Sequence, residues 1–230
     1  PVRIVRCERR NVQYDILCGI AARNEQQTAA LFRNNDSAVV LVDMLERNNI
    51  PYRLKGGEKT FFTSRPVLDI TEIIRFINNP YDIDSFMAIY YKMGLYITKQ
   101  TAEAACKISS LRHITITDAL LGIDTGTQIS VNSKRNIQQT AQLMRQAQSS
   151  SATEVLSIIL HGMQYADYAH KNGLDENKYD ILRMLARNVN SSAELIDRLS
   201  ELSGIMAEHK DDSFSKFTLS TVHSSKGLEY

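Results

Sequence analysis

The residues from Thr221 to Tyr230 place a histidine, a lysine, a glycine and a glutamate within one short polar stretch. The stretch reads T-V-H-S-S-K-G-L-E-Y and follows a β-rich run that starts at Phe217. Small polar residues after a strand let backbone N–H groups approach an anion, and a lysine adds a positive charge. Open α/β sheets hold their ligand contacts at such strand ends. An ordinary strand-to-loop turn is the alternative, because the sequence has no Walker-type glycine loop.

A second polar group follows another predicted strand, Thr28 to Phe32. Arg33 and Asn35 come directly after this strand and precede a helix with an apolar stripe. A new strand is predicted at Tyr52 to Lys55, and the strand–helix–strand order is the βαβ unit of a parallel sheet with a right-handed crossover. The polar group is therefore predicted at the carboxyl end of a strand, where ligands bind. Turn and helix-cap chemistry is an alternative role for the same residues, and both roles are compatible.

The stretch T-V-H-S-S-K-G-L-E-Y resembles a motif in the second RecA-like domain of UvrD/Rep-type DNA helicases of superfamily 1. The resemblance implies that Thr221, His223 and Lys226 contact the backbone of single-stranded DNA. It also implies that Gly227 and Glu229 belong to the nucleotide site, where the glutamate binds the ribose of ATP. These residue types suit those partners, since hydroxyl, imidazole and ammonium groups bind phosphate and a carboxylate accepts from a ribose hydroxyl.

Two further segments extend the resemblance. The run A-A-L-F-R-N-N-D-S-A is similar to the helicases' "L-Y-R-x-N" segment, which implies that Arg33 and Asn35 face the DNA strand. The run N-N-I-P-Y-R-L-K-G-G follows at the expected distance. The family then carries an Arg-x-Glu pattern, but Val67 stands where the glutamate would align, so Arg65 receives no role.

The segment from Lys92 to Thr98 lies where the family carries a K-x-G-I-G-x-x-T turn that meets duplex DNA. The resemblance implies that Lys92, Gly94 and Thr98 contact the duplex, since such turns bind phosphate through backbone amides. Tyr96 replaces the second glycine. Its side chain either blocks close approach of the DNA backbone or stacks on a base. A plain interhelical turn is the alternative for the whole segment.

Composition restricts the remaining classes. The chain has 230 residues, 43% of them hydrophobic and 23% charged, and a net charge of +1, so any nucleic-acid binding must come from local patches. The sequence has neither a bilayer-spanning apolar run nor a signal peptide, and its three separated cysteines fit reduced thiols, which together predict a cytoplasmic protein without membrane contact. Asp82 and Asp84 suit helix capping better than a metal site, and no metal site is predicted. The basic start, Val2 to Cys7, predicts an edge strand or a DNA-facing strip.

The resemblance and the apolar pattern together predict an α/β fold in which a partial RecA-like parallel sheet is interrupted by a large all-α inserted domain. Residues 1–79 are expected to form the first part of the second RecA-like domain, 80–212 the helical insert, and 213–230 the return to the RecA-like domain. The middle segment is helical by pattern from Ser85 to Asp211. The chain is expected to be a fragment of a longer protein.

By resemblance, the chain supplies one wall of the ATP cleft and part of the single-stranded DNA track of an ATP-dependent 3′–5′ DNA helicase or translocase in DNA repair. The intact protein is expected to hold ATP and Mg²⁺, with a Walker A lysine upstream of Pro1. This chain has neither Walker A nor Walker B, so no catalytic residue is assigned and it is expected to be inactive alone. Expected partners are single-stranded DNA, the upstream RecA-like domain and, as an open question, duplex DNA.

Two other functions stay open at this point. One is a non-catalytic helical module for protein interaction or regulation, which the helix-rich middle and the balanced charge favour. The other is a subunit of a helicase–nuclease recombination complex. A salt titration of DNA binding separates a DNA-tracking surface from the interaction module.

Overall fold

The strand that comes last in the sequence lies at the centre of a small parallel sheet. In the computed structural model, which describes residues 2, 4–23, 25–55, 59–122, 129–208 and 215–225, the sheet has the strand order β1-β3-β2. Its strands are β1 (Thr28–Phe32), β2 (Arg53–Lys55) and β3 (Phe217–Thr221). The three strands lie at the positions that the sequence predicts, and the parallel sheet with its helices confirms the α/β class.

The chain forms two compact units, Pro1–Thr63 with Arg198–Tyr230, and Ser64–Asp197. The first unit contains the sheet, α1 (Arg10–Arg23) and α2 (Asp36–Arg47). The predicted apolar stripe of α2 is buried, since none of its four members exceeds 2% exposure. These four residues are Ala38, Leu41, Val42 and Leu45.

An ion cluster holds α2 in the first unit. Asp43 is fully buried and accepts hydrogen bonds from Nε of Arg198 at 2.6 Å and Nε of Arg47 at 3.0 Å. Nearby, the buried Tyr52 hydroxyl donates to Glu46 at 2.7 Å. Burial, together with this hydrogen bond, raises the pKa of Tyr52 well above its ordinary value. The polar groups of this core are therefore paired, as buried charges must be.

The predicted strand at Val2 to Cys7 is wrong for the residues that the structure describes there. Residues 4–7 are irregular, and the Ile4 side chain is 85% exposed. A strand needs a partner that accepts its hydrogen-bond ladder. The described edges of the sheet are β1 and β2, so the basic start has no partner strand in the described part of the chain.

The described residues of the second unit form helices and turns. Its elements are α3 (Arg65–Asn78), α4 (Ile83–Ile89), α5 (Lys99–Arg112), α6 (Ile116–Gly122), α7 (Val131–Ala147), α8 (Ala152–Ser157), a π-helical turn (Ile158–Gly162), α9 (Tyr165–Lys171) and α10 (Asn177–Ala186). The helix α11 (Ser192–Ala207) runs from this unit into the first.

Several helix starts follow the predicted capping chemistry. The Asp82 carboxylate accepts from the Ser85 N–H at 3.1 Å, which confirms the predicted capping role of Asp82. Ser151 and Glu154 form a reciprocal capping box at α8. The hydrogen bonds from the Ser151 backbone and side chain hold the pKa of Glu154 below its ordinary value.

Other features of the described residues are ordinary for a globular protein. The free thiols of Cys18 and Cys106 are buried, and burial raises the pKa of Cys106 to about 11. Across the described ranges, three or more His, Cys, Asp or Glu side chains nowhere gather as metal ligands would. No helix in those ranges has the length and apolar character needed to cross a membrane.

Candidate nucleic-acid interface

The carboxyl ends of two neighbouring strands bring the predicted strand-end residues to one edge of the sheet. Phe32 at the end of β1 is paired with Thr221 at the end of β3. The N–H of Val222 donates to the carbonyl of Phe32 at 3.0 Å. The segments that begin at Arg33 and at Val222 therefore leave the sheet side by side, although 190 positions separate the hydrogen-bonded residues Phe32 and Val222 in the sequence.

The turn that follows β3 is held by the Thr221 hydroxyl. Its Oγ1 accepts from the N–H of Ser224 at 3.0 Å and donates to the Ser224 hydroxyl at 2.9 Å. The N–H of Ser225 donates to the carbonyl of Thr221 at 3.0 Å. Thr221 is itself buried, whereas His223 is exposed. Thr221 therefore shapes the turn, and His223 is displayed to solvent by it.

The two asparagines after β1 have different environments. Asn34 makes the local turn, since its Oδ1 accepts from the Ser37 hydroxyl at 2.7 Å and from the Ser37 N–H at 3.3 Å. Asn35 occupies the N-cap position of α2, but its side chain makes no capping bond. Its Oδ1 is buried and has no hydrogen-bond partner in the described part of the protein. Turn chemistry therefore accounts for Asn34 and leaves the Asn35 oxygen unused.

The exposed cation at this strand end is suited to a ligand that carries phosphate. Arg33 is exposed, and among the described residues its guanidinium has neither an ion-pair nor a hydrogen-bond partner. A guanidinium binds phosphate oxygens in a bidentate way, and a carboxamide bonds sugar, phosphate or base groups. The remaining predicted residues of this region, Lys226, Gly227 and Glu229, lie outside the residues that the structure describes.

The Lys92 side chain is buried in the second unit. Its Nζ lies 2.6 Å from Oδ1 of Asp69, and the two side chains are each only 6% exposed. The Tyr165 hydroxyl donates to the other oxygen of Asp69 at 3.0 Å. The ammonium of Lys92 is therefore occupied by an internal partner, and it anchors the start of the turn that contains Gly94.

Two residues of this turn, Gly94 and Tyr96, have a positive φ. Gly94 has a φ of +63°, and a Cβ at this position would lie 2.8 Å from Oε1 of Gln164. Tyr96 has a φ of 51°, so it keeps the positive φ that a glycine would adopt most easily. Tyr96 is 66% exposed, and its hydroxyl donates to Oε1 of Gln164 at 3.2 Å. Thr98 caps α5 by accepting from the N–H of Thr101 at 3.2 Å.

Sequence reasoning missed the residues that hold this turn. Asp69 carries a usable signal, since it lies on the apolar face of α3, four positions before the buried Ile73. A carboxylate on such a face needs a buried partner. Gln164 and Tyr165 carry no such signal, because they lie 68 and 96 positions from their respective partners, Tyr96 and Asp69.

Comparison with known proteins supports the resemblance found in the sequence. Residues 8–230 match the model of the UvrD-like helicase C-terminal domain. The chain is 24% identical over 226 residues to the ATP-dependent DNA helicase PcrA of Staphylococcus epidermidis, covering 91% of this chain and 30% of that protein. It is 26% identical over 223 residues to the protein of the same name from Leuconostoc citreum, covering 88% of this chain and 29% of that protein.

The chain spans about three tenths of the length of the curated relatives that it matches. The family match, in contrast, covers nearly the whole chain, including both segments that leave the sheet side by side. The chain therefore belongs to the family of UvrD-like helicase C-terminal domains.

Proposed function

We propose that this chain forms part of an ATP-dependent DNA helicase or translocase that moves 3′ to 5′ along single-stranded DNA. The observation that carries the proposal is the pairing of Phe32 with Thr221, which brings two polar segments together at one edge of the sheet. Parallel sheets bind ligands at this edge. Relatives that carry the name of ATP-dependent DNA helicases support the same conclusion.

The proposed DNA track consists of four described residues and one further lysine. Arg33 binds a phosphate, Asn35 turns its carboxamide outward to bond a base edge, and His223 binds the backbone from the neighbouring turn. Thr221 holds that turn and directs its N–H groups. Lys226 adds a positive charge to the same track.

The nucleotide side of the proposal involves Gly227 and Glu229. In the sequence they come two and four positions after Ser225, the last described residue of the turn. A carboxylate there would accept from the ribose hydroxyls of ATP. ATP bound with Mg²⁺ supplies the phosphoryl-transfer chemistry, and an upstream RecA-like domain would hold the phosphates. The chain alone is proposed to be inactive in hydrolysis, since its sequence has neither Walker motif.

The proposed domain arrangement is a RecA-like domain with an all-α insert. We assign residues 1–79 to the first part of the RecA-like domain, 80–212 to the insert and 213–230 to the return. Support comes from the helical composition of the described residues between β2 and β3. The compact units group α3 with the helices that follow it, so this helix packs with the proposed insert.

Duplex DNA is the proposed partner of the turn from Lys92 to Thr98. Gly94 provides the close backbone approach and Thr98 the start of a helix whose N–H groups face a phosphate. Lys92 contributes by anchoring the turn through Asp69, since its ammonium is buried. The protein is proposed to act in DNA repair in the cytoplasm.

Removal of the positive charge at Arg33 tests the single-strand track. For the Arg33→Gln variant of the intact protein, we expect weaker single-stranded DNA binding and a log–log salt slope reduced by roughly 0.7, the value for one phosphate contact on a single strand. The measurement is a fluorescence-anisotropy titration of a labelled oligonucleotide at several salt concentrations.

Arg23 provides the matched control for this experiment. It is an exposed arginine that precedes β1, at the opposite end of the strand from Arg33. Arg23→Gln removes the same charge and should leave the slope unchanged. Equal slopes for the wild type and Arg33→Gln would remove Arg33 from the track, and a flat salt response of the wild type would contradict the whole proposal.

Replacement of Asn35 is expected to change protein stability and DNA affinity in different directions. In the Asn35→Ala variant, we expect the free energy of unfolding to stay the same or rise by about 1 kcal/mol, because a buried acceptor without a partner is removed. Single-stranded DNA affinity should nevertheless fall. Urea unfolding and the same anisotropy titration measure the two effects, and a loss of stability without a loss of affinity would show a purely structural role.

A regulatory or protein-interaction module without motor activity is the second candidate function. The observations in its favour are the helical second unit and the net charge of only +1. This function predicts no steep salt dependence of DNA binding by the intact protein. A subunit of a helicase–nuclease complex is a narrower form of the first proposal, and nuclease activity of the intact protein would distinguish it.

A further inference from the structure

A polar groove lies beside the Gly94 turn, between Tyr96 and the beginning of α7. Its volume is about 650 Å³, and it is open to solvent. Its lining includes one guanidinium, three carboxamides, two serine hydroxyls and one tyrosine, and no carboxylate among the described lining residues. The residues that supply these groups are Arg135, Asn132, Asn136, Gln139, Ser130, Ser133 and Tyr96.

The groove is held together by hydrogen bonds that leave its ligand groups unused. The Ser133 hydroxyl donates to the carbonyl of Tyr96 at 2.8 Å, and the N–H of Ser133 donates to the Ser130 hydroxyl at 3.0 Å. The first bond attaches the start of α7 to the turn, and the second caps the helix. The guanidinium and the three carboxamides form no hydrogen bond or ion pair with any residue that the structure describes.

The Tyr96 ring is presented to this groove from a fixed position. Its backbone is bound by Ser133 and its hydroxyl by Gln164, so both ends of the residue are anchored. The residue nevertheless stays 66% exposed. An aromatic side chain that is held in place and exposed is suited to stack on a nucleobase, because little conformational entropy is lost on binding.

We propose that this groove binds one nucleotide of a DNA strand at the end of the duplex. Arg135 binds its phosphate, the carboxamides of Asn132 and Asn136 bond its sugar or base edge, and Tyr96 stacks on its unpaired base. The inference rests on the proposed function, since it places a specific nucleotide beside the duplex contact of the Gly94 turn.

The charge of Arg135 provides the first test, with Lys134 as the matched control. Lys134 is the exposed neighbour on the same helix and does not line the groove. For Arg135→Gln in the intact protein, we expect about tenfold weaker binding of a duplex with a single-stranded tail, and a salt slope reduced by about 0.9 for one phosphate contact. Binding of a plain single strand should be unchanged.

The outcomes of this test separate the groove from the proposed function. Lys134→Gln should leave both quantities near the wild-type values, and an equal effect of the two variants would overturn the groove in favour of a general positive field. If the wild type binds tailed duplex with steep salt dependence but Arg135→Gln behaves identically, the groove is wrong while the proposed function stands. If the wild type binds no DNA, both are wrong.

The ring of Tyr96 provides the second test. Tyr96→Phe keeps the ring and loses the hydroxyl, and we expect it to bind a tailed duplex within about twofold of the wild type. Tyr96→Ala removes the ring and should bind roughly tenfold more weakly, since stacking on one base contributes an effect of this size. Equal losses in both variants would overturn the stacking role, because the hydroxyl and not the ring would then be responsible.

A free nucleotide carries the same phosphate, sugar and base as the proposed ligand, so competition by a free nucleotide is measured separately. Deoxyadenosine monophosphate at millimolar concentration should compete only weakly with the tailed duplex. Strong competition that disappears in Arg135→Gln would overturn the DNA assignment and make the groove a site for free nucleotides.

Discussion

Replacement of Asp69 by alanine is expected to lower the free energy of unfolding by about 3–5 kcal/mol, the usual effect of removing one partner of a buried ion pair. Asp69 is the only described carboxylate within ion-pair distance of Lys92, whose ammonium lies 2.6 Å away. Its loss leaves a buried ammonium without a counter-charge and the Tyr165 hydroxyl without its acceptor. Urea unfolding followed by circular dichroism measures the change.

Two controls separate this effect from the loss of an ordinary ion pair. Lys99 and Glu103 form an exposed i,i+4 pair, so Lys99→Gln should cost only about 0.3–0.5 kcal/mol. The double variant Asp69→Leu with Lys92→Met removes both charges and should recover much of the stability, because no uncompensated charge remains. A small effect of Asp69→Ala, similar to that of Lys99→Gln, would contradict the importance of the buried pair.

Replacement of Gly94 by alanine is expected to cost about 2–3 kcal/mol and to weaken binding of duplex DNA. A positive φ costs a residue with a Cβ about 1–2 kcal/mol. The new Cβ would also lie 2.8 Å from Oε1 of Gln164, so this carboxamide must move and give up its hydrogen bond with Tyr96. That bond contributes a further amount of about 0.5–1.5 kcal/mol. Urea unfolding and a duplex-binding titration measure the two effects.

Gly173 is the matched control for the backbone part of this cost. It has the same φ of +63°, and no heavy atom lies within 4 Å of an added Cβ. Gly173→Ala should therefore cost only the free energy of a positive φ and leave DNA binding unchanged. Combining Gly94→Ala with Gln164→Ala removes the steric conflict, and a further loss of stability in that double variant would show that the conflict is not with Gln164.

The βαβ order at the start of the chain was predictable because its signals are local. The apolar stripe of α2 and the short β-rich runs at Thr28 and Tyr52 depend only on neighbouring residues, and the observed strands and helix lie where these patterns place them. The prediction of a strand at the basic start was wrong because strand formation there depends on distant residues. Its alternation is that of a strand, but a strand also needs a partner, and residues 4–7 pair with no described strand.

The turn at Gly94 shows what local patterns leave open. A lysine, a glycine and a threonine at the right spacing indicate a phosphate-binding turn, and nothing in the spacing distinguishes an exposed lysine from a buried one. The carboxylate of Asp69 decides this, because it binds Lys92 across 23 positions of the chain. The exposed groups of the turn region are therefore Tyr96, Thr98 and the groove beside them.

The sequence alone determined the family and the end of the sheet at which ligands are expected. Both follow from the polar stretch Thr221 to Tyr230, because its residues come directly after a strand in the sequence. Only the tertiary structure decided that the strand before it lies between β1 and β2, because strand order depends on hydrogen bonds between distant segments. That order brings Arg33 beside the Thr221 turn, and it leaves Asn35 with a buried oxygen that no described residue satisfies.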